Sequence, residues 1–141
     1  MKKVFLVLTL LLAYSLFAIQ PAQAQINIAV VHAETDLTWP ADVKSKLQVF
    51  ADFGVIDLIS VVSSTPTLDQ LLQYSAVLLT TDYPPADPAL LGDVLADYVD
   101  SGGGVVLMHA SMSDPWALLG RFRTGGYGLI GFYVSPRGCP S

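Results

Sequence analysis

The chain has 141 residues and carries 12 acidic against seven basic side chains, a net charge of −5 at neutral pH. Nucleic acid and anionic membranes are poor partners for such a surface, because both carry negative charge. Cys139 is the single cysteine, so no internal disulfide can form. The stability of the fold must therefore come from the packing of its apolar residues, which make up 52% of the sequence.

The first 24 residues have the pattern of a secretory signal peptide. Lys2 and Lys3 give a positively charged start, Val4–Ile19 is an uncharged run, and Ala22–Ala24 (AQA) matches the small-x-small cleavage pattern. An uncleaved membrane anchor is the alternative, but the run is shorter than the roughly 20 residues of a spanning helix. The sequence predicts an exported protein, secreted or periplasmic, with no stable membrane insertion after cleavage.

Four short apolar runs follow, and each is typical of a strand buried on both faces of a sheet. The runs are Ile26–His32, Val55–Val62, Ala76–Asp82 and Gly104–His109. Helical segments separate them, which predicts crossover connections and a parallel sheet covered on both faces. We therefore expect residues 25–141 to form a single domain with a flavodoxin-like, doubly wound α/β fold of four to five strands.

The first two intervening segments have helical signals of different kinds. Residues 39–54 carry Pro40 near the start, Gly54 past the end, and an apolar face. That face consists of Val43, Leu47 and Phe50. The second segment has Thr67 and Gln70 at the spacing of a capping box, in which each side chain satisfies a backbone N–H near the helix start. We predict a longer first helix and a short second one.

The third helical segment has the clearest boundaries in the chain. Asp87 is its predicted N-cap, Pro88 its first residue and Gly102 its terminator. Its apolar face comprises Leu91, Leu95 and Tyr98.

The last part of the chain is less regular. Asp114 and Pro115 repeat the Asp-Pro helix start before a stop at Gly120, and Gly128–Val134 is a candidate edge strand. Residues 121–128, RFRTGGYG, predict either a solvated connection or a glycine loop whose two arginines hold an anion. The tail, 131–141, shows no period.

Both histidines of the chain, His32 and His109, fall at the carboxyl ends of predicted strands, and Asp82 ends the strand between them. In open parallel sheets, ligands bind beyond these ends, where the strand order reverses. A strand order of 2-1-3-4 would bring the three side chains to one edge. They are the predicted catalytic set, in which a histidine exchanges protons and a carboxylate fixes its tautomer. The alternatives are ligand binding without chemistry, and histidines that only hydrogen-bond loop backbone.

Polar and aromatic residues in the adjoining loops are the predicted ligand-binding residues. They are Glu34, Asp36, Tyr83, Ser111, Asp114 and Trp116. The aromatic members, and Trp39 beside them, would either stack on a sugar or pack at helix starts. We predict no metal, because ligands from separated loops lack the short spacings of a zinc motif. We predict no cofactor. A phosphate-binding loop lies directly before a helix, whereas Gly102–Gly104 lie directly before a strand.

The segment YVDSGGGVVLMHASMSD, residues 98–114, resembles the approach to the nucleophile elbow in the class I glutamine amidotransferase-like superfamily. It is most similar to the trehalose-utilisation-protein-like branch, in which three glycines, an apolar strand and a His-Ala dipeptide occur together, as in Gly102–Gly104 and His109-Ala110. Residues 74–84 are similar to the strand before the penultimate crossover of such domains. The resemblance covers residues 26–130 and implies their fold.

Active amidotransferases of that superfamily carry an elbow cysteine, which a later histidine and glutamate activate. His109 stands where that cysteine would be, and no histidine follows it. A thiolate mechanism needs both groups, so the resemblance implies a binding or accessory module without the triad, with glycans as its ligand class. The alternatives are a hydrolase or isomerase that uses the histidine–aspartate set, and an inactive truncated fragment, because such domains usually continue through another strand and helix.

The signal-peptide pattern predicts a mature chain that begins at Gln25. Ala24→Arg should abolish processing, because the cleavage pattern requires a small residue at that position, whereas Gln23→Arg should leave it intact. Intact-mass measurement of the exported protein and its two variants checks this. Export of a chain that still begins at Met1 would contradict the prediction.

Overall fold

The computed structural model describes residues 25–127, apart from the side chain of His109. Its four strands, all parallel, form a single sheet in the order β2-β1-β3-β4. They are β1 (Ile26–Ala33), β2 (Phe53–Ser60), β3 (Ala76–Thr81) and β4 (Gly104–Leu107). The predicted flavodoxin-like, doubly wound α/β fold is therefore confirmed; the candidate fifth strand at 128–134 and the tail at 131–141 lie outside the described residues.

In residues 25–127, three α-helices connect the strands, and a 3₁₀ turn and a fourth α-helix follow β4. They are α1 (Thr38–Leu47), α2 (Leu68–Leu71), α3 (Pro88–Asp100), the 3₁₀ turn His109–Met112, and α4 (Gly120–Thr124). Within residues 25–127, no helix is both long enough and apolar enough to cross a membrane.

Alternation of side chains along β1 creates two separate cores, one on each face of the sheet. Ala29, Val31 and Ala33 point to the larger core, which they share with buried residues of α2, α3 and α4. Ile28 and Val30 point to the smaller core, against which residues of α1 pack. Because every second residue faces each core, both sets must be apolar, which explains the continuous apolar run.

Helix α3 begins and ends as its signals predict. The Asp87 carboxylate accepts hydrogen bonds from the backbone N–H groups of Ala89 and Leu90, at 3.1 and 2.9 Å. Gly102 ends the helix with a φ of 96°, a backbone conformation that residues other than glycine rarely adopt. The predicted apolar face is buried in the larger core.

The capping box of α2 is also confirmed. The Thr67 hydroxyl accepts from the Gln70 backbone N–H at 3.3 Å, and the Gln70 side chain accepts from the Thr67 N–H at 2.9 Å. The helix is a single turn, and Leu71 is its only residue that is fully buried.

The first predicted helix extends six residues too far, because it was expected to end just before Gly54 and ends at Leu47. Helix α1 ends at Leu47, and Phe50, predicted on its apolar face, is 57% exposed. The chain turns over residues 48–52 because β2 begins at Phe53, which pairs with Ile26 of β1. Phe53 and Gly54 therefore belong to β2, although the sequence pattern assigns them to the segment before the strand.

The predicted helix from Asp114 to Gly120 is wrong. This stretch is non-helical and is held by backbone bonds in which Leu118 donates to Ser111 and Leu119 donates to Pro88. Ala117 and Leu118 are buried, and these bonds satisfy backbone N–H groups that a local helix would pair differently.

The described part of the RFRTGGYG segment, residues 121–127, begins in helix α4, and both of its arginines donate to carboxylates, which disfavours the predicted anion site. The Arg121 guanidinium donates to the carboxylates of Asp97 and Asp100 on α3, the latter at 2.7 Å. Arg123 donates to Asp114 at 3.3 Å. Phe122 lies between these arginines in sequence and is buried in the larger core, so α4 is docked by apolar packing and by ion pairs.

Substitution of Gly92 tests the contact between α3 and the chain before α4. A Cβ at this buried position would overlap the backbone carbonyl oxygen of Leu119. Gly92→Ala should therefore destabilise the protein by about 1–3 kcal/mol, although alanine favours a helix. Urea unfolding measures the change.

Gly104→Ala is the matched control, because a Cβ there would lie 3.7 Å from its nearest neighbour, an ordinary contact. We expect it to change the free energy of unfolding by less than about 0.5 kcal/mol. Equal stabilities of the two variants would show that the predicted overlap is relieved at no cost.

Candidate functional site

Parallel register brings the carboxyl ends of β1, β3 and β4 to one edge of the sheet. His32 is paired with Thr80, and Ala33 with Thr81, so the residues after β1 and β3 leave the sheet side by side. A pocket of about 380 Å³ opens there. It is lined by Glu34, Asp36, Trp39, Thr80, Asp82, Met108 and Ala110.

Glu34, the first residue after β1, lines this pocket with 9% of its surface exposed. Its carboxylate accepts a hydrogen bond from the Thr80 hydroxyl at 3.1 Å. Burial raises the pKa of the Glu34 carboxyl because the ionised form loses hydration, and the charges of Asp82 and Asp36 act in the same direction. Hydrogen bonds from Thr80 and the Asp82 backbone oppose this shift.

Asp36 lies at the exposed rim and holds the start of α1. One carboxylate oxygen accepts from the Thr38 backbone N–H at 2.9 Å and from the Thr38 hydroxyl at 2.7 Å. Both bonds favour the ionised form, so the pKa of Asp36 lies below its ordinary value. The same turn places Trp39 in the pocket wall, where 42% of its surface is exposed.

His32 does not line the pocket. It is 3% exposed, within β1, and its Nδ1 atom has no hydrogen-bond partner among the described residues. Burial lowers the pKa of its imidazole because the charged form loses hydration, so His32 is neutral at pH 7. A buried neutral ring is poorly placed to exchange protons with a ligand in the pocket.

His109 begins the 3₁₀ turn directly after Met108, which lines the pocket. The backbone of His109 is therefore at the predicted edge of the sheet. Its side chain is outside the described atoms, so its catalytic role stays a prediction. Asp82, the third member of the predicted set, is exposed and lines the pocket.

Two of the six predicted ligand-binding residues, Glu34 and Asp36, line the pocket, and the other four do not. Ser111 is completely buried, and its hydroxyl donates to the Leu79 carbonyl at 3.3 Å. Asp114 accepts from Arg123, as described above. Trp116 accepts at its backbone carbonyl from the Thr81 hydroxyl at 2.8 Å. Tyr83 is half exposed and lies outside the pocket wall.

Sequence reasoning missed Thr80, although a signal for it is present. Thr80 and Asp82 are two residues apart, so a strand directs both side chains to the same face. Asp82 was predicted at the site, and the same alternation would have placed Thr80 beneath it. Met108 and Ala110 flank the predicted His109 and carry no polar signal of their own.

Metal binding finds no support in the part of the chain that the structure describes. In residues 25–127 no group of three or more histidine, cysteine or acidic side chains is arranged to hold a metal ion.

The chain was also compared with known proteins. No protein-family model, no curated protein and no solved structure matches it.

The pKa of Glu34 predicts how stability depends on pH. The folded state binds this proton more tightly than the unfolded chain does, so ionisation of Glu34 costs folding free energy. The cost is absent below the unfolded pKa and grows as the pH rises through the folded-state pKa. Glu34→Gln keeps an acceptor for Thr80 and cannot ionise. We expect this variant to be more stable than the wild type at neutral pH, with a difference that disappears in acid.

Asp36→Asn is the control with the opposite sign. The pKa of Asp36 is lowered by folding, so its ionised form stabilises the protein at neutral pH, and this stabilisation is lost as the pH falls through the folded-state pKa. We expect the variant to be the less stable one at neutral pH. Urea unfolding between acidic and neutral pH measures the stability of each variant relative to the wild type. A change of the same sign in both variants at neutral pH would contradict the opposite pKa shifts of Glu34 and Asp36.

Proposed function

We propose that this chain is an exported binding module whose pocket holds a small, neutral, hydroxyl-rich molecule of the sugar class. The observation that carries this proposal is the composition of the pocket wall. It combines three carboxylates with one partly exposed tryptophan, and no lysine or arginine lines it among the described residues.

The three carboxylates favour a ligand that donates hydrogen bonds. Ionised carboxylates only accept, so Glu34, Asp36 and Asp82 match hydroxyl groups. Negative ligands such as phosphates and carboxylic acids would be repelled.

The size and aromatic wall of the pocket suit the same class of ligand. About 380 Å³ lies within the range of roughly 300–1,000 Å³ that is usual for small-molecule sites. Trp39 presents a flat apolar surface next to the acceptors, and such a surface complements the apolar face of a sugar ring. Sugars need both kinds of contact, because their rings have C–H faces and hydroxyl edges.

Two further arguments support a binding module over an enzyme with a histidine–aspartate set. His32 is buried, neutral and absent from the pocket wall. The resemblance of residues 98–114 to the trehalose-utilisation-protein-like branch, with His109 in place of the nucleophilic cysteine, also favours binding without turnover. The N-terminal signal pattern would place the module outside the cytoplasm.

Titration with trehalose and with glucose tests the proposal. We expect saturable binding of at least one of them, measured by calorimetry and by tryptophan fluorescence. Trp39→Ala should weaken binding about fivefold or more, because the stacking surface is lost. Asp82→Asn should also weaken it, because a charged acceptor becomes a neutral one.

Phe50→Ala is the matched control for Trp39→Ala. Phe50 is another exposed aromatic residue, just beyond the other end of α1, and it does not line the pocket. We expect its loss to leave sugar binding unchanged. If neither sugar gives a binding signal at concentrations up to about 10 mM, any affinity is too weak to be specific, and the proposal is contradicted.

A further inference from the structure

A second surface, at the far side of the sheet from β4, has the features of a peptide-binding groove. Strand β2 is an edge strand, because β1 is its only partner among the described strands. It has eight residues, against four in the other edge strand, β4. A long unpaired edge offers backbone N–H and C=O groups to another extended chain.

The hydrogen bonds of β2 show which of these groups are free. The Val55 N–H donates to the Asn27 side chain on β1, and the Val61 N–H donates to the His32 carbonyl, also on β1. Backbone groups of successive residues in a strand point to opposite sides. Those of Ile56, Leu58 and Ser60 therefore point away from β1, toward the open edge.

A pocket of about 380 Å³ lies along this edge. Its walls are Asp57, Leu58 and Ile59 of β2 together with Gln70, Gln73 and Tyr74. The outward-pointing Leu58 backbone is thus flanked by side chains that could surround one residue of an added strand. Edge and pocket coincide, which is the arrangement that strand-addition binding sites use.

The charge in this groove indicates the chemistry of the ligand. Asp57 is half-buried in the wall, and its carboxylate accepts from the Tyr74 hydroxyl at 2.8 Å. No lysine or arginine lines the groove among the described residues. A positively charged side chain that enters on the Asp57 face would therefore gain an ion pair, whereas an acidic one would be repelled.

We propose that the open edge of β2 binds an extended peptide segment by strand addition, and that the groove beside it selects a lysine or arginine in that segment. The Leu58 backbone pairs with the peptide backbone. Asp57 holds the basic side chain, and the amides of Gln70 and Gln73 bind the polar groups next to it. This surface is separate from the sugar pocket, so the two proposals stand or fall independently.

Two fluorescein-labelled peptides test the charge selection, acetyl-TVTKTVT-amide and acetyl-TVTETVT-amide. We expect the lysine peptide to bind the full chain about tenfold more tightly in a fluorescence anisotropy titration, since attraction is replaced by repulsion in the glutamate peptide. Asp57→Asn keeps an acceptor for Tyr74 and should bring the two affinities to within about twofold. Asp69→Asn, the control, changes the same charge on α2 outside the groove wall and should preserve the tenfold ratio.

A third peptide tests the backbone pairing. The lysine peptide with alternate amides N-methylated keeps its charge but loses the donors of one edge, so strand addition predicts at least about tenfold weaker binding. In the amide NMR spectrum, the unmethylated peptide should shift the resonances of Ile56, Leu58 and Ser60.

Four results would overturn the proposal. The first two concern charge selection: equal affinities of the lysine and glutamate peptides for the wild type, or no binding of either at about 1 mM. The third is undiminished binding of the N-methylated peptide. The fourth is a dimer of the chain, seen by sedimentation, that the lysine peptide does not dissociate. The last result would show that a second copy occupies the edge. Sugar binding is unaffected by any of them.

Discussion

The central strand, β1, is the constraint on which the rest of this structure depends. It is paired along both edges and buried on both faces, and Ala29, Val30, Val31 and Ala33 have no exposed surface. Such a strand cannot carry polar residues along its length without desolvation cost. Polar side chains are therefore favoured near its ends, and its parallel neighbours release their own polar residues at the same edge of the sheet. The candidate sugar pocket follows from that geometry.

Burial opposes the charged forms of two groups at this edge. His32 and Glu34 are two residues apart on the same face, one inside the sheet and one just beyond it. Desolvation lowers the pKa of the histidine and raises that of the glutamate, so the neutral form of each is favoured. Asp36 and Asp82, beside them at the same edge, are exposed. The pocket thus combines two exposed carboxylates, Asp36 and Asp82, with the nearly buried carboxylate of Glu34.

Signals that act within a few residues were predictable, and those that depend on distant contacts were not. The Asp87 cap, the Thr67–Gln70 capping box and the Gly102 terminator are confirmed because both partners of each interaction lie within one turn. The helix predicted from Asp114 failed because burial of Leu118 and its bond to Ser111 outweigh local preference. Arg121 binds Asp93 through its backbone N–H and Asp97 and Asp100 through its guanidinium. The only sequence signal for this position was the spacing of the three aspartates, which lie on one face of α3.

The sequence by itself determined the fold class and the edge at which a site forms, because apolar periodicity and strand direction are local properties repeated along the chain. It also supplied Glu34, Asp36 and Asp82, since residues that follow parallel strands must emerge together. Only the tertiary structure decided that His32 is enclosed, that Ser111 is buried, and that the edge of β2 has a groove beside it. Those outcomes depend on which side chains from distant segments fill the space around each position, and a pattern within one segment contains no information about them.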